Sequence, residues 1–172
     1  MKRFFSIATL CFFVIAGQAQ TMKSYTVGHP FTVSLPDYMA KTSGLNNSAA
    51  IQYKSEVKDV YGFVMLDDKE GLKLAELNYS SIKEFYDEFI KGFIEGEEQV
   101  KQSKPVSLQQ GGINFMESDL SFFDKDAKTE IYYLVGIVET KKGYYTVLSY
   151  CTLENKAKFK EDFRKILYSL KD

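Results

Sequence analysis

The sequence has no tryptophan, three prolines, one histidine and two cysteines. Each shortage excludes something. A zinc site built on several imidazoles and thiolates has one histidine, His29, to draw on. A disulfide framework needs more cysteine than Cys11 and Cys151, and those two lie in regions of different character. Without tryptophan, the usual aromatic platform for a glycan is missing. There is no excess of basic charge: 22 Lys and Arg stand against 23 Asp and Glu, for a net charge of −1. Nothing in that balance favours nucleic acid or an anionic membrane surface. No internal repeat, low-complexity tract or linker interrupts the chain. The one long uncharged apolar run, Phe4 to Ala16, is shorter than the ~20 residues a membrane-spanning helix requires.

That run lies in "MKRFFSIATLCFFVIAGQAQ", with Lys2 and Arg3 before it and Gly17-Gln18-Ala19 after it. A basic start, an apolar stretch and small residues make a signal peptide, with cleavage after Ala19. An acylated Cys11 is disfavoured, because the residues before it are Ala8, Thr9 and Leu10 and the apolar run continues beyond it. Residues 1–19 carry two cations and no acid, so their removal takes the charge from −1 to −3. Cys151 then remains alone and no internal disulfide is possible. The expectation is an exported protein, periplasmic or secreted, whose residues 20–172 form a single domain without a transmembrane segment.

Hydropathy alternation predicts strands at 31–36, 49–56, 60–66 and 113–123. "EIYYLVGIVET" at 130–140 is apolar on both faces, with Ile131, Tyr133, Val135 and Ile137 on one and Tyr132, Leu134 and Val138 on the other. A strand covered from two sides reads this way. With "GYYTVLSYC" at 143–151 it forms an antiparallel hairpin across a glycine-containing turn. Two helices are predicted. One starts at Ser81, where Ser81 and Glu84 have capping-box spacing, and its apolar stripe is Ile82, Phe85, Phe89, Ile90, Phe93 and Ile94. The other spans about 154–170, with Phe159, Phe163, Ile166, Leu167 and Leu170 inward and Lys156, Lys158, Lys160 and Lys165 outward. The expected class is α+β, an antiparallel β-sheet flanked by helices.

Three passages resemble the PsbP-like family, which includes the photosystem PsbP protein, the Ran-binding Mog protein and many small exported bacterial proteins. They are "FTVSLPDYM" at 31–39, "SSIKEFYDEFIKGFI" at 80–94 and "YYTVLSYCTLENKAKFKEDFRKILYSL" at 144–170. They are similar to the family's opening strand, first long helix, and last strand with closing helix. The resemblance implies an α/β/α sandwich and a non-enzymatic accessory role, and carries no site residue with it.

Candidate chemistries are few. Cys151 and His29 are the only thiol–imidazole pair the mature chain offers, and Cys151 precedes a predicted helix whose N-terminus would favour a thiolate. Against that reading, Cys151 alternates with Val147 and Ser149 as a packing residue does. Acidic clusters at 67–70, 95–98 and 124–126 lack the order of a calcium loop and fall at element ends. Gln110-Gly111-Gly112 is a turn without the Lys-Ser/Thr of a phosphate loop, and no Gly-x-Ser-x-Gly occurs. Tyr132, Tyr133, Tyr144, Tyr145 and Tyr150 crowd the final hairpin, and Tyr133 and Tyr145 are candidates for ligand contact, with Cys151 and His29. No catalytic residue, metal ligand or cofactor is expected. The expected function is an accessory module that binds a protein or an envelope component. A small-molecule or lipid carrier with a Phe/Tyr-lined pocket between sheet and helix is the alternative, followed by a Cys-dependent enzyme.

Overall fold

The computed structural model describes residues 21–26 and 31–172. The expected leader at 1–19 and the candidate His29 lie outside the described residues. Strands β1 (Met22–Thr26) and β2 (Thr32–Pro36) form a two-stranded ribbon. All other strands belong to one antiparallel sheet: β3 (Ala40–Thr42), β4 (Ile51–Ser55), β5 (Val60–Asp68), β6 (Glu98–Gln102), β7 (Val106–Gln110), β8 (Ile113–Asp124), β9 (Thr129–Glu139) and β10 (Gly143–Thr152). The order across it is β3-β4-β5-β10-β9-β8, with β6 and β7 sharing the far edge of β8. Pro105, which has no N–H to give a ladder, marks the break between those two edge strands. The β7–β8 turn uses Gly111 and Gly112 at φ +59° and +82°, the left-handed pair that a two-residue hairpin demands.

The two faces of the sheet are covered differently. Helix α2 (Ile82–Phe93) lies on one, helix α3 (Lys156–Tyr168) and the β1–β2 ribbon on the other. The expected split of β9 holds: Tyr133, Val135 and Ile137 belong to the α2 side, Tyr132, Leu134 and Val138 to the α3 side. Phe85, Tyr86 and Ile90 are the buried residues of α2. Each contributes about 1.5–3 kcal/mol over leaving it exposed. Tyr86 was absent from the expected stripe. Its hydroxyl donates to Ser118 Oγ at 2.6 Å and accepts from Gln102 Nε2 at 2.8 Å, so a polar tip ties the helix to β8 and β6. The capping box is corrected by one position. Ser81 Oγ accepts from the Glu84 N–H at 3.2 Å, but the Glu84 carboxylate takes the N–H and hydroxyl of Ser80 instead of Ser81. A short helix that the sequence reading did not anticipate, α1 (Lys69–Leu74), follows β5 and buries none of its residues.

All five apolar residues expected on the closing helix are buried, Leu170 two residues beyond the end of α3. Its cations are not simply wet. The α3-facing side of β8 carries Phe115, Glu117 and Asp119, which meet Tyr168, Arg164 and Lys160 with Lys156. Two residues along a strand rise about 6.8 Å and four along a helix about 6 Å, so an antiparallel strand and helix stay in step. Asp119 accepts from Lys160 at 2.8 Å, Lys156 at 3.0 Å and the Tyr132 hydroxyl at 2.8 Å. Burial would raise its pKa, and these hydrogen bonds outweigh burial to hold the carboxyl below the usual range. A carboxyl depressed in the folded state stabilises fully above its unfolded pKa of about 4 and loses that contribution as pH falls through the folded value.

Two glycines give the layers room. A Cβ on Gly136 in β9 would stand 2.3 Å from Leu167 Cδ1, so α3 rests directly on the backbone there. Gly62 in β5 does the same for a tyrosine. The Tyr53 ring leaves β4, crosses over Gly62 and places its hydroxyl 2.8 Å from Ser149 Oγ and 3.3 Å from the Leu148 carbonyl on β10.

Candidate functional site

Three tyrosines stand in register across neighbouring strands on the α2 side. Tyr61 of β5 pairs with Tyr150 of β10, which pairs with Tyr133 of β9. Tyr61 and Tyr150 stack with centroids 5.4 Å apart, and Tyr150 and Tyr133 follow at 5.1 Å. Phe122 of β8 extends the row, stacked on Tyr133 at 5.1 Å. Spacing of this order is what adjacent strands impose on rings standing on edge. Helix α2 ends beside the row: Phe93 meets Tyr133 edge-on at 5.3 Å. Beyond it no α2 residue covers the sheet. A groove of about 450 Å³ opens there, with Leu45 and Ile131 as apolar walls and Asp59 and Asp124 at its rim. This is the size range of ligand clefts.

The polar groups of the groove are ordered. Tyr61 donates to Asp59 Oδ1 at 2.9 Å, and that hydrogen bond, with burial, raises the phenol's pKa. Burial raises Tyr133 and Tyr150 as well, so all three stay neutral hydroxyls at physiological pH. Asp124 accepts the N–H groups of Asp126 and Ala127 at 2.9 and 2.8 Å, which fixes the β8–β9 turn. The arrangement offers apolar ring surface, hydroxyls that donate and accept, and two carboxylates. It suits recognition of a partner with an apolar body and hydrogen-bond donors. Its one thiol, Cys151, is buried and has no side-chain hydrogen bond to a base among the described residues.

The expected site residues separate. Tyr133 lines the groove, and Cys151, 2% exposed, touches its wall. Tyr145 faces the opposite side, fully buried, edge-on to Phe31 at 5.1 Å and donating to Asp172 Oδ2 at 3.0 Å. Cys151 does not stand at a helix start. It lies inside β10, a 3₁₀ turn at Leu153–Asn155 precedes α3, and its side chain belongs to the α3-side core. Burial, with Asp59 nearby, pushes its thiol up to about 12. Native Cys151 is therefore expected to react with iodoacetamide at pH 8 at least roughly a hundredfold more slowly than the unfolded chain does. Alkylation at the unfolded rate would restore it as a candidate nucleophile. The acidic clusters are taken up elsewhere. Asp68 caps α1 through the Gly71 N–H at 2.7 Å, and Glu98 pairs with Lys125 at 2.8 Å. Among the described residues no group of three or more His, Cys, Asp or Glu is placed to hold a metal.

Tyr61 was not among the expected site residues. Its membership depends on β5 lying against β10, a pairing of strands more than seventy residues apart. The hairpin alone shows Tyr133 and Tyr150; only the sheet order supplies the third ring.

No family model and no curated relative matches the sequence. Solved structures do match it. Cyanobacterial PsbP (CyanoP) from Synechocystis superposes with a TM-score of 0.64 at 14% identity, covering 95% of this chain and 97% of that one. The Ran-binding protein Mog1p of Saccharomyces cerevisiae gives 0.60 at 11% identity, over 89% and 96%. LpqN of Mycobacterium tuberculosis, involved in cell envelope biogenesis, gives 0.58 at 10% identity, over 87% and 89%. Likeness at such identities is likeness of fold, and the fold of this chain is the PsbP-like, Mog-like sandwich.

Proposed function

We propose that the protein is an exported accessory module of the cell envelope that works by binding a protein partner or envelope component, not by catalysis, and that the tyrosine groove is its docking site. The observation that carries this reading is the in-register row of Tyr61, Tyr150 and Tyr133 on a stretch of the α2 side that the helix leaves open. Registered aromatics with hydroxyl tips are good recognition surface, because they present large area at low entropic cost. The leader-like N-terminus supports export, with cleavage after Ala19. The fold supports a binding role by analogy alone: one protein of this fold is described as Ran-binding and another as involved in cell envelope biogenesis. No helix among the described residues is long and apolar enough to cross a membrane. The carrier alternative draws less support directly beneath α2, where Phe85, Tyr86 and Ile90 are buried against the sheet.

The test places a photo-crosslinking residue at position 133 or 150 of the full chain in cells, with position 158 on the exposed side of α3 as control. The expected result is a discrete cross-linked species from 133 and 150 and none from 158. Equal labelling from all three positions, or none from the two tyrosine sites, would remove the groove as a docking site. Turnover by the purified protein, lost on changing one residue, would remove the non-catalytic reading.

A further inference from the structure

A second recess runs along α2 from Asp67 to Phe93, the residue that meets Tyr133, and shares no lining residue with the tyrosine groove. Its walls come from three elements: Asp67 at the end of β5, Leu72 and Leu77 from α1 and the turn after it, and Tyr79, Phe85 and Phe89 leading into and along α2. Its volume is about 440 Å³. The leucine pair is set by the way α1 ends. Glu76 takes a left-handed φ of +60° and the Leu77 N–H donates to the Leu72 carbonyl at 2.9 Å, a Schellman closure that brings the two side chains together. That accounts for their contact, and Leu77 still leaves 46% of its surface exposed.

The closure does not account for Asp67. This carboxylate is half-buried at the head of an apolar recess, and among the described residues it has neither a hydrogen bond nor an ion pair. The lysine two residues along the chain is spent elsewhere: Lys69 reaches across Tyr144 to Glu139 Oε1 and the Thr140 carbonyl, both at 2.9 Å. Glu88 is the other charged wall, and it too is an acid. Burial and the neighbouring Asp68 raise the Asp67 pKa, the signature of a carboxylate without compensation. An uncompensated carboxylate is retained at a cost, and a recess with two acids, no base and aromatic walls is complementary to one kind of ligand.

We propose that this recess binds a small organic amine, its ammonium group against Asp67 and its apolar body against Leu72, Leu77, Phe85 and Phe89. The volume of the recess lies within the range of small-ligand clefts. The ammonium would supply the donors that Asp67 lacks, and the aromatic rings would accept the methylenes or aryl group behind it.

The probe is phenethylamine, protonated at pH 7, with 2-phenylethanol as its neutral counterpart. Both are titrated into the purified protein while the ring resonances of Tyr79, Phe85 and Phe89 are followed by NMR. The amine is expected to shift these rings saturably and to bind roughly tenfold more tightly than the alcohol, the increment of one charge-assisted hydrogen bond at a half-exposed site. Asp67→Asn is expected to erase that difference and leave equal, weak binding of both. Leu77→Ser, at an exposed position, is expected to weaken both alike. Equal binding of amine and alcohol to the wild type, an unchanged preference in Asp67→Asn, no saturable shift at all, or shifts centred on Tyr61, Tyr133 and Tyr150 would each overturn the proposal. The last outcome would instead place the ligand in the tyrosine groove.

Discussion

Gly62→Ala is expected to lower the thermal midpoint by about 6–12 °C, the equivalent of about 3 kcal/mol in a chain of this size. Ordinary strand preferences predict the opposite sign, because glycine in a strand interior costs about 0.5–1 kcal/mol relative to alanine. The added Cβ would stand 2.3 Å from Tyr53 Cε2 and 2.6 Å from the Leu148 carbonyl oxygen. The first contact is with a ring locked in place by its hydroxyl's bond to Ser149, and the second is with backbone in the central strand of the sheet. Neither can move cheaply in a close-packed layer. Calorimetry on the single variant and on Gly62→Ala with Tyr53→Leu separates the two contacts. The second substitution relieves the ring clash but not the carbonyl clash, so recovery is expected to be partial. A midpoint unchanged or raised in Gly62→Ala would mean that Tyr53 does not cross β5 at that point.

Arg164→Met is the second large effect. Glu117 is 5% exposed and its Oε1 accepts from Arg164 Nη2 at 2.8 Å. Removing the guanidinium strands a buried carboxylate between β8 and α3. Losing one partner of a fully buried pair costs about 3–5 kcal/mol; Arg164 keeps about a third of its side chain in solvent, so roughly 2–4 kcal/mol is expected near neutral pH. Glu117→Leu with Arg164→Met is expected to return stability to within about 1 kcal/mol of wild type, because an apolar pair of similar bulk needs no desolvation. Urea unfolding of the three variants checks it. A double variant no better than Arg164→Met would show that the pair contributes more than mutual compensation.

The leading elements of the fold were legible for simple reasons. Strand β9 is apolar at consecutive positions, and only a strand between two covered faces tolerates that. Helices α2 and α3 carry apolar residues at three- and four-residue spacing, with few alternatives for how to bury them. The edge strands β6 and β7 escaped because all but one of their residues are exposed, so no run of core-facing positions marks them. Helix α1 escaped for the same reason: it buries nothing.

The sequence by itself determined the class of fold, the inward stripe of each helix, the two-sided burial of the final hairpin and the poverty of catalytic groups. These are local properties, written in the spacing of apolar residues and in what the composition lacks. Tertiary structure alone decided which side chains meet. It laid β5 against β10 and so joined Tyr61 to Tyr150 and Tyr133. It turned Cys151 and Tyr145 into the α3-side core, and it left Asp67 facing an apolar recess without a cation. Strand pairing across long stretches of chain is chosen by the packing of the whole sheet. No window of residues carries that choice, and both candidate sites depend on it.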